Sequence, residues 1–202
     1  MVVILIISIL VALGNYWDFT QRREKARMEE LAVQLTAMMD QEKTSTLLGK
    51  TESWAIVRER KITVDYNTTT TVLTYKSYAD LAEDKEGTYC GIPSRCTDLI
   101  TIWWIGTNYA LTTKSWQFYD PSLVMTLYQC DTNPTTGTLI TWLSSLTILL
   151  KWDTMSFSGR TEKHIVIFLS RDGVYREIHI DRRTGVIYER EKTITGILPS
   201  CT

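Results

Sequence analysis

The sequence predicts an α+β fold in which a long N-terminal α-helix packs on an antiparallel β-sheet head. Three observations carry that prediction. There is no proline from Tyr16 to Met39 and no glycine between Gly14 and Gly49. Over this stretch Met28, Leu31, Ala32, Leu35, Met38 and Met39 recur at the three- and four-residue steps of one helical face. Residues 164–191, HIVIFLSRDGVYREIHIDRRTGVIYERE, hold three alternating runs divided by the turn signals Asp172-Gly173 and Arg183-Thr184-Gly185, the pattern of a β-meander. Seven tryptophans, ten tyrosines and abundant threonine favour strands in the rest of the chain.

The helix comes first and is of two kinds. Met1 to Leu13 carries no charge, and Glu24, Lys25, Glu29, Glu30 and Gln34 later surround the apolar stripe. The division is therefore a helix over residues 1–50, apolar through 1–14 and then amphipathic, followed by a β-rich head over 51–202. At about 1.5 Å per residue the apolar part reaches roughly 20 Å, short of a hydrocarbon core of about 30 Å. A signal peptide would need a basic start and a small-residue cleavage site. Met1-Val2-Val3 and the bulky Leu13-Gly14-Asn15-Tyr16-Trp17 supply neither. A buried core helix fits poorly with a run dominated by β-branched Val and Ile. What remains is one helix of roughly 45 residues whose apolar end belongs to a longer membrane-compatible segment.

MVVILIISILVALGNYWDF resembles the N-terminal helix of type IV pilins and of the related pseudopilins of type II secretion. Aligned on Ile6-Ile7-Ser8-Ile9-Leu10, Met1 falls about six residues inside the family's mature start. The resemblance thus implies that the first few residues are not part of this sequence. Adding them extends the apolar run to about twenty residues, enough to span a bilayer. The likeness covers roughly residues 1–50 and the remainder only in outline. It implies that Val2, Val3, Ile4, Leu5, Ile6, Ile7, Ile9, Leu10, Val11 and Leu13 form the core of a filament, with local flexibility at Ser8, Gly14 and Asn15. Departures are the family's basic leader and its assembly glutamate, neither of which is seen, and a kinking proline, replaced near Tyr16. Arg22, Arg23, Lys25 and Arg27 follow the apolar run. The positive-inside rule alone would place them in the cytoplasm, but interleaved Glu24, Glu29 and Glu30 and the cysteines favour an extracytoplasmic head.

Four cysteines, Cys90, Cys96, Cys130 and Cys201, allow three pairings. Gly91 and Pro93 make a compact loop between Cys90 and Cys96, so Cys90–Cys96 with Cys130–Cys201 is the expected set. The second bridge would tie down the C-terminus, and a disulfide there also resembles many pilins. Along the head, Trp54–Tyr66 reads as a strand paired across an Asn67 turn with Thr70–Tyr75. Ser77–Asp84 reads as a short helix or turn, and Leu99–Ile105 and Leu123–Gln129 read as buried strands. Thr138–Leu150 fits helix or strand. In the meander, Ile165, Ile167, Ile178 and Ile180 are expected against the helix, with Glu177, His179 and Asp181 facing outward.

Chemistry is sparse. No nucleotide-binding glycine motif, nucleophile elbow or zinc-protease motif occurs. The Asp172-Gly173 register sets His164 opposite Asp181 with His179 diagonal, read as a polar outer face rather than a metal site. Asp80, Glu83, Asp84 and Glu86 lack calcium-loop spacing and read as a solvated loop. Trp103 and Trp104 cannot both face one side of a strand, so one is expected to enter the core and the other to be a contact residue on the surface. Asn67-Thr68-Thr69 matches a glycosylation sequon on the turn. A net charge of −1 and a pI near 6.1 argue against a nucleic-acid binder. No catalytic, cofactor-binding or metal-binding residues are expected, and the chain is not expected to be an enzyme. The expected function is a structural subunit that polymerises through its apolar helix into an extracellular, type IV pilus-like filament. Its partners are then other copies of itself, the membrane before assembly, and, as the family resemblance implies, prepilin peptidase and inner-membrane assembly machinery. A minor pilin or pseudopilin, a non-polymerising surface binding module and a membrane-anchored enzyme are the alternatives.

Overall fold

The computed structural model describes residues 2–49, 51–52, 55–81, 111–131, 137–140, 144–151, 153–191 and 201. It contains one helix, α1 (Val2–Leu47), and eleven strands among those residues: β1 (Thr51–Glu52), β2 (Ala55–Asn67), β3 (Val72–Leu81), β4 (Leu111–Tyr119), β5 (Val124–Gln129), β6 (Thr138–Leu139), β7 (Ser145–Lys151), β8 (Met155–Phe157), β9 (His164–Arg171), β10 (Val174–Asp181) and β11 (Val186–Glu191). The fold is the expected α+β arrangement of a long N-terminal helix on antiparallel sheet, and the strands divide into two antiparallel sheets. One runs β4-β3-β2-β7-β8, with β1 on the end of β2, and the other runs β11-β10-β9-β5-β6.

Helix α1 lies over both sheets with its C-terminal half. Met28, Leu31, Ala32, Leu35 and Met39 are at most 2% exposed, and Met38 packs beside them. These are the stripe residues at helical spacing, and burial of each large one stabilises the fold by about 1.5–3 kcal/mol. The helix stops at Gly49, whose φ of +59° is the left-handed conformation that caps a helix. There the Leu48 N–H donates to the Thr44 carbonyl at 3.0 Å.

The first sheet alternates as a half-buried sheet should. Ile62, Val64 and Tyr66 of β2, Leu73, Tyr75 and Ala79 of β3, and Leu146, Ile148 and Leu150 of β7 face the helix, while the residues between them face out. The expected β2–β3 hairpin forms, with Asn67 opposite Val72. Its turn is shaped by Asn67 Oδ1, which accepts the N–H groups of Thr69 at 2.9 Å and Thr70 at 3.0 Å. Strand β3 continues through Ser77 to Leu81, where a helix or turn was expected; Ser77 and Ala79 are small inward residues in phase with Leu73 and Tyr75. The ambiguous Thr138–Leu150 stretch resolves into strands β6 and β7.

The meander falls as read. Asp172 (φ 46°) and Gly173 (φ 81°) make a tight turn that pairs Asp181 with His164 and Ile178 with Ile167. Ile165, Ile167, Ile178 and Ile180 are fully buried against the helix side. The expectation for the other face is corrected: Glu177 and His179 do point away from the helix, yet they are 1% and 0% exposed. Tyr128, Cys130, Val166 and Phe168 form a second apolar cluster on that face, with Tyr175 and Cys201 against it. Phe168 meets Tyr128 edge-on at 5.7 Å and Tyr175 face-on at 5.6 Å, and Tyr188 stacks on His179 at 4.7 Å. This sheet is therefore covered on both sides.

Cys130 and Cys201 are joined, with a sequence separation of 71. Closing a loop of that length is worth about 4 kcal/mol in the chain-entropy model. Cys90 and Cys96, Leu99–Ile105 with Trp103-Trp104, and Glu83, Asp84 and Glu86 lie outside the described residues.

Candidate functional site

The helix changes character along its length, and the change locates the candidate site. Every residue from Val11 to Arg23 whose side chain is described is exposed, including Leu13 at 58%, Tyr16 at 71%, Trp17 at 70% and Phe19 at 66%. A run of large apolar side chains left exposed by the described residues marks a surface suited to a partner. The backbone from Val2 onward is helical, and it continues through Gly14 and Asn15 without interruption. Nothing lies within 4 Å of a Cβ built on Gly14, so no contact demands a glycine there. No helix among the described residues is long and apolar enough to cross a membrane.

Where the helix meets the head, ion pairs hold it in place. Asp120 sits in the β4–β5 turn that links the sheets, is 1% exposed, and takes Arg171 at 3.1 Å and Arg27 at 3.8 Å. Arg171 also pairs with Glu24 of the helix, and the Arg27 guanidinium lies over the Phe118 ring. Lys25 pairs with Glu191 at 2.5 Å. Arg176 on β10, also buried, reaches Glu29 of the helix at 3.0 Å and Glu189 of β11 at 3.1 Å. The Lys25 hydrogen bond holds the Glu191 carboxyl below its ordinary range; burial opposes this, and the Arg176 and Lys25 charges add to the lowering. Of the basic cluster after the apolar run, Lys25 and Arg27 are thus committed to the head, and Arg22 to Asp18 at 2.8 Å.

The far end of the helix is pinned by a buried pair. Arg60 Nη1 donates to Glu42 Oε2 at 2.7 Å, and both side chains are at most 3% exposed. Lys114 adds a contact to Glu42 at 3.2 Å, and the Tyr75 hydroxyl donates to the Met38 carbonyl at 3.3 Å. Burial, then the Glu42 charge, push the Tyr75 phenol far up against the opposing Arg60, so it stays a neutral donor. Lys43 donates to the Gly185 carbonyl, joining the helix to the β10–β11 turn.

The histidines form a hydrogen-bonded chain rather than a solvated face. His164 Nε2 lies 3.1 Å from His179 Nδ1, and His179 Nε2 lies 3.1 Å from Glu177 Oε2. Among the described residues no three His, Cys, Asp or Glu side chains are placed to hold a metal ion together. Burial, then the neighbouring His179, lower the His164 pKa; Asp181 and Asp131 oppose the shift and Arg183 adds to it. Asp181 itself is pushed up by burial, but the Arg183 hydrogen bonds outweigh this and hold it low. The fold therefore resists a proton on His164 that the unfolded chain accepts below about pH 6.5. Stability is expected to fall as the pH drops through that value, and His164→Gln is expected to lose this component. Melting curves between about pH 7.5 and about pH 5.5 check it; equal slopes for the two proteins would contradict the assignment.

Comparison with known proteins adds no match: no family model, no curated protein and no solved structure aligns with this chain. What remains is likeness of shape. A long N-terminal helix, half bare and half packed on antiparallel sheets, is combined with a disulfide near the C-terminus. The architecture is pilin-like. Of the filament-core residues read from the sequence, Val11 and Leu13 are exposed, at 57% and 58%, and the side chains of the others lie outside those described. The buried pair Arg60–Glu42 and the Asp120 and Arg176 anchors were not anticipated.

Proposed function

We propose that this chain is a filament subunit that polymerises through the free half of α1, as the architecture of pilins suggests. The observation that carries the reading is the boundary along one continuous helix: from Met28 onward the stripe of Met28, Leu31, Ala32, Leu35 and Met39 is buried by the head, while the described side chains from Val11 to Arg23 are all exposed. In water the bare segment is driven to bury its apolar surface, and the nearest supply of matching surface is another copy. Packing such helices together keeps each in apolar surroundings, with the heads forming the outer shell. Before assembly the same segment, with any residues that precede it, would rest in a membrane, and the filament would emerge on the cell surface. Family likeness would then make the assembly machinery and the prepilin peptidase its partners.

The work in this reading is mechanical. The ion pairs at Asp120 and Arg176 fix the angle at which the helix leaves the head, so that every subunit presents it alike. Sedimentation of the full chain after detergent removal, followed by negative-stain microscopy, tests the proposal. Long fibres of uniform width are the expected result. A stable monomer without detergent would instead favour the non-polymerising binding module.

A further inference from the structure

The face of β9 and β10 turned away from the helix carries a chain of proton-bearing side chains beside the disulfide. His179 and Glu177 are buried there, and His164 is partly exposed. A carboxylate only accepts hydrogen bonds, so Glu177 Oε2, 3.1 Å from His179 Nε2, fixes the His179 proton on that nitrogen. His179 Nδ1 is then a lone pair, and at 3.1 Å it takes the Nε2 proton of His164. The nitrogen of His164 that keeps a lone pair is Nδ1, so the chain ends in a base. Tyr188 stacks on His179 at 4.7 Å and holds its ring in place.

The sheet register sets Cys130 beside that base. Strand β5 pairs Tyr128 with Val166 and Gln129 with Ile165, and the next step of the same register is Cys130 with His164. The Cys130 N–H donates to the His164 carbonyl at 3.0 Å, which extends the ladder to this pair. Directly opposed residues share a face with their Cβ atoms about 5 Å apart, close enough for a thiol to meet an imidazole. The two sulfurs differ in access. Cys130 is 8% exposed, whereas Cys201 is only partly buried. An incoming reagent meets Cys201, and Cys130 is the sulfur that must gain or lose its proton inside the fold.

We propose that Cys130–Cys201 is a thiol–disulfide exchange site, that its partner is an external thiol or disulfide, and that His164 carries the proton of Cys130. In closure, the Cys201 thiolate first attacks the external disulfide, forming a mixed disulfide and expelling one thiolate. The Cys130 thiol then gives its proton to His164 Nδ1, and its sulfur attacks Cys201 Sγ. The Cys130–Cys201 bond forms, the mixed disulfide breaks and the second external thiolate leaves. Opening is the reverse: an external thiolate attacks Cys201 Sγ, and Cys130 departs with the His164 proton. Glu177 and His179 are positioning residues that keep the lone pair on Nδ1. The groups whose charges act on His164 are His179, Asp181, Asp131 and Arg183, with Glu177 behind His179. Burial, then His179, lower the His164 pKa against the two aspartates, which keeps the ring neutral and basic at about pH 7. The site faces away from the helix and does not depend on the filament reading.

Mass spectrometry of the full chain in detergent tests this. The chain is reduced, mixed with glutathione disulfide and trapped at intervals with N-ethylmaleimide, and the Cys130 and Cys201 peptides are read separately. Glutathione is expected on Cys201, and the step that decides is its displacement by Cys130. An unassisted thiol with the ordinary pKa of about 8.5 would speed this step about 25-fold between about pH 7 and about pH 9. With His164 as base, the parent rate is expected to change less than about threefold. His164→Gln is expected to slow displacement about tenfold or more at about pH 7 and to match the parent at about pH 9. The parent profile needs no variant, so a misfolded His164→Gln leaves the test intact. Glutathione held on Cys130 instead of Cys201, a parent rate that climbs like that of an unassisted thiol, or a defect in folded His164→Gln that persists at about pH 9 would each overturn the assignment.

Discussion

Ile9→Lys is expected to abolish filaments while leaving the head folded. Ile9 lies in the uncharged run that the sequence opens with, well before Met28, where burial by the head begins. Placing a lysine at the centre of an apolar helix costs about 2.5–3.5 kcal/mol even where lipid can adapt around it. In a polymer every subunit carries that cost, and neighbouring lysines also repel, so the effect on assembly is close to all-or-none. The described core of the head draws on the helix only from Met28 onward. Its melting temperature should match that of the parent chain when both are held as monomers in detergent. Uniform fibres from the lysine variant would mean that the segment does not lie in the filament core.

Arg60→Ala is expected to cost about 3–5 kcal/mol, a large fraction of the 5–15 kcal/mol typical of a domain. Glu42 would remain buried beside the apolar stripe with Lys114 as its charged partner, and Lys114 is one-third exposed. The loss should come mainly from the stranded carboxylate, which makes the double change informative. Arg60→Met combined with Glu42→Leu removes both charges and should recover most of the stability. Urea unfolding followed by tryptophan fluorescence reads both. A cost below about 1 kcal/mol for Arg60→Ala would place the pair in the class of surface ion pairs.

Much of the fold could be read because its signals were local and periodic. The stripe from Met28 to Met39 packs as spaced, and the Asp172-Gly173 turn set the register that places His164 opposite Asp181. Strand β4 escaped notice although Trp116 and Phe118 alternate inward, because Lys114, Ser115, Gln117 and Tyr119 dilute the pattern. Leu149 did the same to β7 by placing an apolar residue on the outer face. Burial of Glu177 and His179 could not be read from their own strand, since it depends on a second apolar cluster brought together from β5, β9 and β10. The run His164–Leu169 held a clue: five successive apolar residues mark a strand covered on both sides, and it was read as simple alternation.

The buried ion pair was legible in a different way. Arg60 shares the parity of Ile62, Val64 and Tyr66, and Glu42 stands seven residues after Leu35 on the buried stripe. A charge in phase with a core face is either an error in the phase or a partner for another such charge, and here the two find each other. The candidate site was legible because it is a property of composition along a helix.

Electron cryomicroscopy of wild-type assemblies with helical reconstruction tests the central claim most directly. The result expected is a polar filament with α1 at its centre, Val11, Leu13 and Trp17 buried between copies, and the β-sheets outside. A polymer held together by the heads with these side chains facing solvent would contradict it, as would preparations containing only solitary molecules.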